Sequence, residues 1–253
     1  MSFGGGTDSA SGEDAVSFAH ALDTLKHHGS ALLVVGSVPD EAYARASRQM
    51  LGDTTGDSPR RRLLVVPEFE RARAASRIRS GDRLTREWAR IVVHAAAARS
   101  AAAGSVTPSG GPGTQSPAAP TMGEASSPPA EVVDGGIANL GITVSTVINE
   151  FDRAAGGLGP AELRVAFDCL PALLTEYDTE TVFRFLHALT HHVKRVRGMG
   201  HFWLPREHDC DIVRTFGPLF DATIELRIDG GVVTQRWHFR DMDLVSDWLA
   251  LPE

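Results

Sequence analysis

Seven short apolar or β-branched runs punctuate the chain: ALLVVG (31–36), RLLVVP (62–67), LGITVST (140–146), LRVAFD (163–168), GHFWLP (200–205), ATIELRI (222–228) and VVTQRWHF (232–239). The first five are apolar on both faces. That pattern predicts strands covered on both sides, because polar–apolar alternation is expected only where one face meets water. Apolar residues recur at helical spacing over 13–28, 40–51, 81–102, 145–155, 178–197 and 208–218. Strands alternating with helices predict an α/β fold, a mainly parallel sheet with helices on both faces. Asp229-Gly230-Gly231 between the last two runs predicts a C-terminal antiparallel hairpin. The final stretch, DMDLVSDWLALPE, predicts a short closing helix docked by Trp248 and Leu249.

The helix from 178 carries the clearest signals. Asp178 is placed to cap it, and Val182, Phe185, Leu186, Leu189, Val193 and Val196 form one stripe. Lys194, Arg195 and Arg197 lie where the helix dipole favours cations, and Gly198 or Gly200 can end it. Residues 1–12 are small and polar, and residues 103–136 are rich in Pro, Gly, Ser and Ala; both predict disorder. Segment 13–102 holds only two clear strands, too few to close a sheet alone. It is therefore expected to fold with 137–253 as one domain interrupted by the insert.

Composition narrows the function. The 253 residues are 42% hydrophobic, enough to build a core, and the net charge of −7 argues against a general nucleic-acid binder, which needs clustered positive charge. Nucleic acid is accordingly not expected as a partner. No apolar run approaches the roughly 20 residues of a membrane span. The opening MSFGGGTDSASGEDA lacks the basic start and apolar core of a signal peptide, and two cysteines make no disulfide framework. A cytoplasmic protein is the expectation.

The first strand ends at Gly36 and leads through Ser37 into a helix, where a phosphate-binding loop would sit. Such a loop needs Gly-x-x-x-x-Gly-Lys-Ser/Thr: glycines to wrap backbone N–H groups around phosphate, lysine for the β and γ oxygens, a hydroxyl for Mg²⁺. Here Glu41, Ala42 and Tyr43 stand at the last three positions, and Asp40 and Glu41 add negative charge. The strand LRVAFD ends on Asp168, the form of a Mg²⁺-ordering Walker B carboxylate, although buried strands also end in Asp as a cap. Glu68 or Glu70 after the second strand could polarise a water; a solvated loop glutamate is the commoner case. His208, Asp209, Cys210 and Asp211, and His187 with His191, are metal-ligating types without metal-site spacing, and no metal site is expected. The arginines at 60–62 and Arg71, Arg73, Arg77, Arg79, Arg83, Arg86 and Arg90 are interleaved with acids and read as a solvated face.

Taken together, the two halves resemble the RecA/KaiC-like P-loop ATPase core over residues from about 15 to 240, outside the insert. Within that superfamily the chain looks most like divergent, functionally unassigned members of halophilic archaea. The best-matching stretch is 163–228, with Phe-Asp-Cys-Leu (167–170) and Pro-Leu-Phe-Asp (218–221) as landmarks. The resemblance implies a three-layer RecA-like core. It places Gly36 at the first phosphate-loop glycine and Asp168 at the Walker B aspartate, so Gly36, Ser37 and Asp168 outline a vestigial nucleotide site. Glu41, Ala42 and Tyr43 depart from the family where its chemistry is essential. The expected function is an inactive domain, with no catalytic residues and no cofactor, that regulates or scaffolds by binding a protein partner or itself. A residual Mg²⁺·ATP-binding protein or slow ATPase, and a nucleic-acid accessory protein, are the alternatives.

Overall fold

The computed structural model describes residues 8–52, 60–78, 84–95, 128–242 and 244–252, with side chains from residue 16 onward. The strands are β1 (Ser30–Val35), β2 (Arg61–Pro67), β3 (Ala89–Ala95), β4 (Ala130–Asp134), β5 (Leu163–Phe167), β6 (Met199–Leu204), β7 (Ala222–Asp229), β8 (Val232–Phe239), β9 (Leu244–Val245) and β10 (Leu249–Ala250). The helices are α1 (Asp8–His28), α2 (Asp40–Leu51), α3 (Arg71–Ser76), α4 (Ile137–Ala155), α5 (Leu170–Glu176), α6 (Thr179–Arg195) and α7 (Asp211–Phe216). All ten strands form one sheet in the order β10-β8-β7-β1-β6-β5-β2-β3-β4, with β9 on β8. Every pairing from β7 to β4 is parallel, and β8 runs antiparallel to β7, β9 and β10. This is the expected α/β architecture: a three-layer, RecA-like, mainly parallel sheet ending in an antiparallel hairpin.

Burial explains the layers. Residues 31–35 of β1 are fully or almost fully buried, as are the corresponding residues of β2, β5 and β6, because helices cover both faces. Leu33, Val65, Phe167 and Phe202 pack under α4, α5, α6 and α7. Leu32, Val34, Trp203, Ile224 and Trp237 face α1 and α2, and Leu64, Val66 and Ile91 face α3. In α6, Asp178 accepts the Thr181 amide at 2.8 Å, and Val182, Leu186, Leu189 and Val193 are buried, as the sequence indicates.

Several expectations fail for identifiable reasons. The run 140–146, read as a strand, lies inside α4. Its β-branched residues favour a strand locally, but Leu140, Val144, Val147, Ile148 and Phe151 form a helical stripe that is buried, and tertiary burial overrides propensity. Segment 81–102, read as a helix, contains β3 instead; Ile91, Val92 and Val93 are buried between β2 and β4. The C-terminal stretch forms β9 and β10 instead of a helix. Leu251 docks it at 3% exposure, while Leu249 is exposed. Trp248 lies beneath the guanidinium groups of Arg227 and Arg236, 3.8 and 4.3 Å from its ring centre. Of the segments read as disordered, 1–7 and 103–127 lie outside the described residues. Within the rest, regular structure begins at Asp8 and resumes at Ala130.

Candidate functional site

The site lies where α2 and α3 meet the sheet face, beside the carboxyl end of β5. The Asp168 amide donates to the carbonyl of Val65 at 2.8 Å, which fixes the turn out of β5. The Asp168 carboxylate points inward and is 3% exposed. Tyr43, in the first turn of α2, donates its hydroxyl to Oδ1. Arg77, just past α3, donates to Oδ2 and forms an ion pair in which both side chains are 2% exposed. Both carboxylate oxygens are thus engaged by the protein itself. The Tyr43 ring stacks on Trp203 at 4.1 Å, and the Arg77 guanidinium sits 5.4 Å from the Tyr43 ring centre.

The polar chain continues inward. Ser47 lies one turn after Tyr43 on the same face of α2, and its hydroxyl oxygen accepts from Arg77 Nη1 at 3.1 Å. Because arginine only donates, the Ser47 hydrogen is available for His201 Nε2, 2.8 Å away. With Ser47 donating, His201 is the neutral tautomer with its proton on Nδ1. Burial lowers the His201 pKa to about 3, and the positive charges of Arg77 and Arg164 add to the effect. Burial, then the Asp168 charge, raises the Tyr43 phenol well above its ordinary range. Burial alone would lower Arg77, but Asp168 and Tyr43 outweigh it and hold the guanidinium firmly protonated.

His201 makes stability pH-dependent. Its folded pKa is depressed, so its contribution is fully present above pH 6.5 and is lost as the pH falls towards 3. That loss is expected to reach about 4 kcal/mol by pH 3. In urea unfolding at a series of pH values, His201→Gln should flatten this stretch, since glutamine can accept the Ser47 bond without titrating. An identical pH profile in the variant would remove the assignment.

Gly36 does a different job from the one its sequence position implies. Its φ is +131°, and an added Cβ would fall inside the van der Waals surface of the Leu226 carbonyl oxygen on β7. Its amide donates to Arg206 at 2.9 Å. Glycine is required here for the close approach of β1 and β7. The loop from Gly36 to Asp40 is also short: Pro39 has no amide hydrogen, and Ser37 and Val38 supply the remaining loop donors. Among the described residues, no hydrogen bond or ion pair joins Gly36 or Ser37 to Asp168, whose oxygens go to Tyr43 and Arg77. A phosphate would meet few amides, no lysine, and the carboxylates of Asp40 and Glu41; a magnesium ion would have to displace Tyr43 and Arg77 from Asp168. The residues present do not fit Mg²⁺·ATP.

A cavity of about 260 Å³ opens outside this cluster, lined on its polar walls by Glu70, Arg73 and Arg77. Glu70 is half-buried, and burial and then Asp168 raise its pKa. Glu68 is exposed. The arginine segment is not a uniform solvated face. Arg77 is buried in the site, Arg61 pairs with Glu162 at 3.0 Å, Arg73 with Asp40, and Arg90 with Glu150. Arg79 and Arg83 lie outside the described residues.

Of the metal-ligating types, His208 meets Glu225 and His238, with donor atoms within 4.8 Å of one another; Asp209, Cys210 and Asp211 are not in that group. These three could close on a cation, but Arg236 already pairs with Glu225 at 3.0 Å, and the two imidazoles stack at 4.1 Å. His187 and His191 are exposed on α6, outside this group. Sequence reasoning missed Arg77, Ser47 and His201. The available signal was Asp168 itself: a carboxylate ending an apolar strand, with no phosphate-loop lysine after β1, needs another cation.

A family model described as a family of unknown function, DUF7504, matches residues 29–226, and no curated protein matches the chain. The matched segment contains Gly36, Tyr43, Ser47, Arg77, Asp168 and His201.

Proposed function

The chain belongs to DUF7504, a family of unknown function, and we propose that it is a RecA-like domain that binds and hydrolyses no nucleotide and works as a regulatory or scaffolding module through protein contacts. One observation carries this reading: Arg77 and Tyr43 take both oxygens of Asp168. A Walker B aspartate orders Mg²⁺, and without that ion and a lysine little remains to stabilise charge on a transferred phosphoryl group. The strand order β7-β1-β6-β5-β2 supports the kinship with RecA/KaiC-like ATPases, since it sets one strand, β6, between the loop after β1 and Asp168.

Protein contact is supported by side chains that water does not favour. Phe69 is 80% exposed between Glu68 and Glu70, and Val132 is 46% exposed on β4, the last strand of the sheet among the described residues. The nucleic-acid reading loses support because Arg61, Arg73, Arg77 and Arg90 are neutralised within the fold. Compartment is proposed to be cytoplasmic; no described helix is long and apolar enough to cross a membrane.

Purified protein with Mg²⁺ and ATP is expected to release phosphate no faster than an Arg77→Ala preparation or a buffer blank. Turnover that scales with wild-type protein through purification and falls in the variant would defeat the reading.

A further inference from the structure

On the opposite side of His201, between α1, α2 and the sheet, lies a second cavity of about 300 Å³. Its size reaches the lower range of small-molecule sites. Phe18, Leu22, Leu32, Met199 and Trp237 form an apolar wall. Arg164, at the start of β5, stands against it and is only 7% exposed. Its Nε donates to the Ala161 carbonyl at 3.0 Å and its Nη1 to the Met50 carbonyl at 3.3 Å. Among the described residues no carboxylate pairs with it. Its cross-strand neighbour on β2 is another arginine, Arg62, whose Nη2 donates to the Gly52 carbonyl at 2.9 Å. Carbonyls at the end of α2 offer both groups partial negative charge. They do not neutralise the Arg164 guanidinium.

A buried charge without a counter-ion is costly, and such charges are ordinarily paired. Arg164 retains Nη2 for a further acceptor, and Lys26 on the cavity rim adds a second positive charge with an exposed side chain. The remaining lining is mainly apolar, with Gln49, His201 and Gln235 as its polar members. We propose that this cavity binds a small monocarboxylate with an apolar tail, its carboxylate on Arg164 and its tail against Phe18, Leu22 and Trp237. An apolar-tailed anion satisfies both parts of the cavity: it neutralises the arginine and covers apolar wall. A plain inorganic anion would leave that wall wet. An uncharged amphiphile would leave Arg164 uncompensated. The proposal does not rest on the Asp168 cluster: His201 touches both, but Asp168, Tyr43, Ser47 and Arg77 do not line this cavity.

Sodium octanoate, titrated into the full chain by calorimetry, tests it against octan-1-ol. Octanoate should bind saturably at one site, raise the melting temperature, and bind at least tenfold more tightly than octan-1-ol. Arg164→Gln should reduce octanoate affinity at least tenfold while leaving the weak octan-1-ol response unchanged, and Lys26→Gln should reduce it less. Absence of saturable octanoate binding, or equal affinity for acid and alcohol, overturns the proposal. The acid–alcohol comparison in the wild-type chain decides the matter even if Arg164→Gln fails to fold. Nucleotide turnover would leave these results untouched, so failure of one reading is distinct from failure of the other.

Discussion

Asp168→Ala is expected to destabilise the protein by about 3–5 kcal/mol, the usual cost of removing one partner from a buried ion pair. The carboxylate and Arg77 are both 2% exposed, so the variant strands a guanidinium in the core and leaves the Tyr43 hydroxyl without its acceptor. Burial makes this loss large, because water cannot reach the orphaned groups. Replacing the set together should be far milder: Tyr43→Phe, Arg77→Met and Asp168→Leu in one chain removes every group that needs the others. Buried ionic sets replaced by apolar residues of similar volume are often neutral. Chemical denaturation of the single, the triple and the wild-type protein checks both statements. A single variant as stable as wild type would show that Asp168 is not the structural anion described above.

Gly36→Ala is expected to cost at least about 3 kcal/mol, from the sum of a residue forced to positive φ and a backbone clash. The obstructing atom is the Leu226 carbonyl oxygen, part of the sheet and unable to rotate away. The chain can relieve the clash only by moving β1 from β7, and β1 is the strand that joins β6 to the hairpin. Gly136→Ala is the milder comparison: an added Cβ there lies 3.5 Å from the Tyr177 hydroxyl, an ordinary contact, and its φ of −76° suits alanine. Its stability should fall by no more than about 1 kcal/mol, the loss of a glycine N-cap. A tolerated Gly36→Ala would mean that β1 and β7 are not as closely held as the geometry requires.

The residues legible in the sequence were those whose local pattern and final environment agree. Strands β1, β2, β5 and β6 read as apolar runs and are buried on both faces. Helix α6 showed its cap and its stripe. The failures arise where two patterns overlap. Gly141-Ile142-Thr143-Val144 favours a strand locally but belongs to a stripe buried at helical period in α4. In β3, alanines around Ile91, Val92 and Val93 suggest a helix, yet the β-branched centre is covered by β2 and α3.

Part of the site was visible. Asp168 stood out as the carboxylate ending an apolar strand and lies at the centre of the cluster, Tyr43 stood out as a departure from the phosphate-loop pattern, and Gly36 serves the approach of β1 to β7 instead. What could not be read is the identity of the partner. Arg77 sits among arginines of similar local sequence, and only the packing of α3 on β2 and β3 separates it from Arg73, which pairs at the surface with Asp40. His201 and Ser47 looked like ordinary members of a strand and a helix. Their bond depends on which face of α2 meets β6, a three-dimensional fact.

The central claim is that the protein's own side chains have taken over the nucleotide site. Titration of Mg²⁺·ATP into the purified chain by calorimetry, to millimolar nucleotide and at both low and high salt, tests it most directly. The account predicts no saturable heat at either ionic strength and no shift in the melting temperature. Saturable one-to-one binding that requires Mg²⁺ and is lost in Asp168→Asn would contradict it.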